Sequence, residues 1–140
     1  MSIKKNSMIS SDEIKIVSIP YLFIAIPFIV MIAIRILTDD WYNVLVTSDW
    51  SIASAMIYST CMFNILNSTR GLNVNGVTLN WFIVKSLVGI SLNIAIYCVI
   101  IMKPNIVAGI AQVILFALAS RTHFKYGLAA YRLDKKEKQQ

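Results

Sequence analysis

"IVSIPYLFIAIPFIVMIAIRIL", Ile16 to Leu37, carries a single charge, Arg35, close to its end. At 1.5 Å per residue the run is about 33 Å long as a helix, enough to cross a hydrocarbon core of about 30 Å. It predicts a membrane-spanning helix. Pro20 and Pro27 are seven residues apart, so they fall on nearly one face and bend the helix in one direction. No small-residue cleavage site follows, and the run is too long for a signal-peptide core, so it reads as a retained span.

Working outward from this segment, the rest of the chain has the same character. Of 140 residues, 57% are hydrophobic and only 14% charged, against about a quarter charged in an ordinary soluble domain. The mean hydropathy is +0.67. "WSIASAMIYSTCMFNILNS" (50–68), "LNWFIVKSLVGISLNIAIYCVIIM" (79–102) and a segment from Asn105 to Ser120 read as three further spans. The expected fold is therefore all-α: a polytopic protein with four transmembrane helices in residues 16–120. A polar arm, 1–15, precedes them, with "SSDE" as a helix-start signal, and a basic helical extension, 121–140, follows. "TDDWYNVLVTSDW" (38–50) reads as a loop with interfacial aromatics. "TRGLNVNGVT" (69–78) and "KPN" (103–105) read as tight turns.

Charge sets the expected orientation. Lys4, Lys5, Lys15, Arg70 and the basic end lie on one side, while Asp39, Asp40 and Asp49 lie on the other with only Arg35 and Lys103. The positive-inside rule places both termini in the cytoplasm of a cell inner membrane. Arg35 stands one turn from Asp39 and can pair with it. Cys61 and Cys98 fall inside apolar runs and are expected as buried thiols.

Polar residues within spans need partners or water. Ser54, Thr60, Asn64 and Asn67 lie on the second span, the last three forming one helical stripe. Lys85 and Asn93 lie on the third, in a row with Gly89 and Tyr97. Two readings stand side by side: hydrogen-bonding contacts between helices, or the lining of a watery path. Lys85 can also snorkel to the interface. Gln112 sits among Ala108, Gly109 and Ala111, a close-packing face with one amide. No metal-ligand spacing, catalytic triad, intramembrane carboxylate pair or phosphate-binding glycine loop appears. An enzyme, a metal centre or a cofactor is not expected.

The closing stretch, "SRTHFKYGLAAYRLDKKEKQQ" (120–140), is patterned. Continued as a helix, it puts Arg121, Lys125, Arg132, Lys135 and Lys136 within a stripe of about 100°. Phe124 and Tyr131 sit at its edge, and Asp134 and Glu137 on the far side. This suits either a lipid anchor beside anionic headgroups or a site for a nucleotide or single-stranded nucleic acid, with cations for phosphates and rings for bases. Arg121, Lys125, Arg132, Lys135, Phe124 and Tyr131 are the candidate ligand-binding residues. Gly127 is a point where the helix, and the stripe, can break.

In architecture the chain resembles the small four-span membrane effectors of bacterial anti-phage operons, of the Hailong and Kiwa types. The resemblance rests on the four short-looped spans, the "KPN" hairpin and the basic end "RTHFKYGLAAYRLDKK". It implies a homo-oligomeric channel that damages the membrane when activated, under the control of a nucleotide-type signal from a companion enzyme of the same operon. No residue roles are carried over with it. The chain is also similar to four-span immunity proteins, which bind and inhibit another membrane protein, and to holins.

Overall fold

The computed structural model describes residues 11–72 and 74–137. Five helices account for most of them: α1 (Ser11–Leu37), α2 (Trp41–Val46), α3 (Asp49–Ser68), α4 (Gly76–Met102) and α5 (Ile106–Glu137). No strand is present among the described residues. Most of the polar arm and Lys138 lie outside them. Three helices are long and apolar enough to cross a membrane: α1, α4 and the part of α5 from Ile106 to Lys135, with mean hydropathies of 2.5, 2.0 and 1.5. α3, which carries Ser54, Thr60, Asn64 and Asn67, is not among the three.

Local chemistry explains where the helices begin and end. α1 begins at Ser11, within the "SSDE" start signal, so residues 11–15 of the polar arm are helical. Pro20 and Pro27 both lie within it. It ends in a Schellman motif: Asp39 is left-handed (φ 55°), its N–H donates to Ile36 O, and the Asp40 N–H donates to Arg35 O. The following segment is not the plain loop expected from sequence, because Trp41–Val46 forms α2. Arg35 donates to the Asn43 carbonyl of α2 at 3.0 Å, and no ion pair with Asp39 forms. At the head of α4 the Asn75 side chain accepts the Val77 N–H at 3.0 Å. Asn105 does the same for Ala108 at 2.8 Å, starting α5 directly after Pro104. These side chains satisfy N–H groups that have no partner in the first turn of a helix.

α3 lies at the centre. Its broadest contact is with α5, then with α4, while α1 packs on α5 and α3 from the other flank. The α3–α4–α5 seam buries Cys61, Ile65, Phe82 and Ala130. One end of the bundle is closed by a ring cluster, Phe28 on Trp50 at 4.4 Å and both on Phe116 at 5.3 Å. There the Gln112 amide donates to Leu45 O (2.8 Å) and Thr47 O (2.6 Å) and accepts from Ser51 Oγ (3.0 Å), tying the α2 segment and α3 to α5. Towards the other end, His123 Nε2 donates to Val17 O at 3.0 Å, and Tyr21 shares a hydrogen bond with Ser120.

Large apolar side chains point outward instead of inward. Phe23, Ile26, Ile29 and Ile34 on α1, and Val84, Leu87, Val88 and Ile94 on α4, are all exposed. A water-soluble monomer rarely carries apolar surface on this scale. Cys61 is buried as expected, but Cys98 is exposed on this outer surface. An apolar run is lipid-facing on one side, so membership in such a run does not imply burial inside the protein.

α5 is continuous through Gly127. The glycine does not break the helix. It is buried against α1, and a Cβ there would lie 2.6 Å from Val17 Cγ1. Its missing side chain lets α1 and α5 approach.

Candidate functional site: a groove between two helices and a basic cleft

The candidate polar residues of α3 and α4 separate into different places. Ser54 is fully buried and donates to Trp50 O at 2.7 Å, so its role is helix packing. Thr60 lines a groove of about 650 Å³ between α3 and α4, together with Ser51, Ser59, Asn93 and Tyr97. Ser59 and Thr60 donate back to Ala55 O and Met56 O, which leaves only acceptor lone pairs for the groove. Asn93 is completely buried. Its amide nitrogen donates to Gly89 O at 2.8 Å, and its Oδ1 has no protein partner. A buried amide oxygen without a donor carries a cost of about 1–3 kcal/mol.

Asn64 and Asn67, one and two turns along from Thr60, do not join this groove. They line a separate cavity of about 210 Å³ with Ser68, His123, Tyr131 and Asp134. The single stripe read on α3 thus turns from α4 at Thr60 to α1 and α5 at Asn67.

The basic residues divide as well. Arg121 and Lys125 line a cleft of about 280 Å³ between α4 and α5, and Lys85 of α4 lines the same cleft. Tyr58, Phe82, Ser86, Leu118, Thr122 and Tyr126 complete its walls. The ammonium of Lys85 lies over the Trp81 ring at 5.2 Å and that of Lys125 over Tyr126 at 5.4 Å. The ion pairs among the described residues are Lys15–Asp12 and Arg132–Glu13, so the three cations of the cleft face no carboxylate. Arg132 is drawn away from them, donating to Glu13 at 3.0 Å. Phe124 packs on Tyr21 and His123, Tyr131 faces the Asn64 cavity, and Lys135 is exposed. Of the six candidate ligand-binding residues, the structure brings together Arg121 and Lys125 and adds Lys85.

Tyr58 and Tyr126 were not singled out in the sequence. Tyr126 adjoins Lys125 and could have been read from the helix, but Tyr58 enters the cleft only because α3 crosses behind α4 and α5. His123, a lone histidine without a chemical set, is buried at 1% exposure as a clamp on the α1 backbone. Among the described residues no group of three His, Cys, Asp or Glu side chains could hold a metal ion. Comparison with protein-family models, curated proteins and solved structures returns no match.

Proposed function

We propose that this chain is a homo-oligomeric membrane channel, controlled by an anionic cytosolic ligand, of the kind that acts in bacterial anti-phage defence. α3 is the fourth span in this reading, and both termini are cytoplasmic. Two features support the four-span arrangement: α3 is 20 residues long, about 30 Å, and it packs along both α4 and α5. The lysine and arginine bias supports the orientation.

The observation that carries the channel reading is the α3–α4 groove. Its walls are mostly apolar, with Ile52, Met56, Ile90 and Ile94, and into them are set the hydroxyls of Ser59 and Thr60 and the phenol of Tyr97, with Ser51 and Asn93 buried behind. Lipid offers the Asn93 Oδ1 no hydrogen-bond donor. Asn93 is fully buried in the single subunit, so water reaches its Oδ1 only if α3 and α4 part as the channel opens, and grooves repeated around a symmetry axis then line a watery path. The three unneutralised cations supply the place for an anionic regulator, with a short oligonucleotide or nucleotide from a companion enzyme as the first choice. A regulator gates only if it binds open and closed states differently. A direct test is the mass and bilayer conductance of purified protein, with and without an oligonucleotide. A monomer that carries no current in either state moves the chain to the inhibitor reading, in which the groove binds another membrane protein.

A further inference from the structure

Lys85 belongs to the site in a way its sequence position hides. It lies on α4, inside a helix apolar enough to span a membrane, and is the one charged residue between Gly76 and Met102. Measured from Met102 along α4, Lys85 stands about 26 Å away; measured from Ile106 along α5, Arg121 and Lys125 stand about 22 and 28 Å away. The two helices are joined by the short 103–105 turn, so these lengths start from nearly one level. All three cations therefore lie at the far edge of a hydrocarbon core of about 30 Å. The Lys85 ammonium sits over Trp81, one turn nearer that edge, as a snorkelling lysine does.

We infer that Lys85, Arg121 and Lys125 form one phosphate-binding site, held between α4 and α5 at the membrane edge. Three cations from two helices line one cleft, with no carboxylate paired to any of them among the described residues. Concentrating like charge without a counter-ion is unfavourable unless an anion neutralises it. Ammonium and guanidinium groups suit phosphate oxygens, the guanidinium by paired N–H donors. Ser86 and Thr122 hydroxyls already donate to the carbonyls of Phe82 and Leu118, so the cations provide the donors. A phosphate there also bridges α4 to α5. The phosphate has two chemical sources: a lipid headgroup, since basic pockets between spans at this level take anionic lipid, or a free oligonucleotide. The inference rests on the proposed function only in treating the basic part of α5 as the ligand-bearing surface.

The test uses the detergent-purified full chain and two probes. Retention of phosphatidylglycerol against phosphatidylcholine is read by native mass spectrometry, and binding of a short oligodeoxythymidylate by fluorescence anisotropy. For at least one probe, Lys85→Gln, Arg121→Gln and Lys125→Gln each weaken binding about tenfold, the worth of one charge-assisted hydrogen bond. Lys85→Arg retains binding. Lys103→Gln, which removes the same charge at the opposite end of α4, leaves it unchanged. Loss confined to phosphatidylglycerol assigns the phosphate to lipid, and loss confined to the oligonucleotide assigns it to a soluble ligand. Wild-type affinity of Lys85→Gln for both probes, or binding of neither probe by the wild type, overturns the site. Conductance is not read in this experiment, so a failed channel reading and a failed phosphate site are told apart.

Discussion

The ring of Tyr58 lies directly against Gly89, where a Cβ would stand 3.0 Å from Tyr58 Cε2 and Cζ. This contact joins the two regions described above. Tyr58 walls the basic cleft, and the Gly89 carbonyl holds the amide of Asn93 at the α3–α4 groove. A displacement of α4 at the cleft thus reaches Asn93 through one residue. Replacing Gly89 tests the contact. Gly89→Ala gains about 1 kcal/mol in helix propensity and asks a half-exposed ring to move by a few tenths of an ångström, so thermal stability should change little. Gly89→Leu should destabilise by about 1–3 kcal/mol through overpacking, seen as a lower melting temperature in detergent.

Gln112 is the hub of the opposite end, with one fully buried amide serving Leu45 O, Thr47 O and Ser51 Oγ. Gln112→Leu keeps the volume and strips the partners. Two part-buried carbonyls lose their donor, so the expected loss of stability is about 1–3 kcal/mol, below the full penalty for two fully buried groups. Gly109→Ala should add to the same lesion, because its Cβ would meet the Leu45 carbonyl oxygen at 2.7 Å and backbone yields less readily than a side chain. Thermal unfolding in detergent measures both. An unchanged melting temperature for Gln112→Leu would remove Gln112 from its place as the hub.

Arg132 belongs to the α1–α5 contact in the structure, paired with Glu13 at 3.0 Å. The Glu13 side chain is only 15% exposed, the Arg132 side chain 39%. Arg132→Gln is therefore expected to loosen the α1 end by about 1 kcal/mol or less, after allowing for solvent screening of a partly exposed pair. Oligonucleotide or phosphatidylglycerol binding should fall much less than in Arg121→Gln. Equal losses in the two variants would restore Arg132 to the ligand-binding set read from the sequence.

The helices were largely legible because run length and turn residues are local signals. Asn75, Pro104 and Asn105 mark ends by their own chemistry. α2 was not legible: Asp40 precedes "WYNVLV" as an N-cap type but its side chain makes no cap hydrogen bond, the helical period is too short to read, and the segment holds its shape through Arg35, Trp50 and Gln112, which reach it from other helices. Gly127 was ambiguous because a glycine that ends a helix and one that admits a neighbour look alike in sequence. The site was legible only in part. A helical wheel correctly groups Arg121 with Lys125, but it says nothing about neighbouring helices. Glu13 claims Arg132, α1 claims Phe124, and α4 contributes Lys85. The same limit split Thr60 from Asn64 and Asn67.

The central claim is that the α3–α4 groove belongs to a conduction path, and Asn93→Leu tests it most directly. Wild-type and Asn93→Leu proteins, matched for oligomer mass, are compared in planar bilayers with and without oligodeoxythymidylate. The account predicts discrete current steps from an oligomeric wild type in one of the two ligand states, and at least about a tenfold smaller conductance once leucine removes the amide behind the groove. A monomeric wild type silent in both states, or an Asn93→Leu oligomer that conducts as well as the wild type, would contradict it.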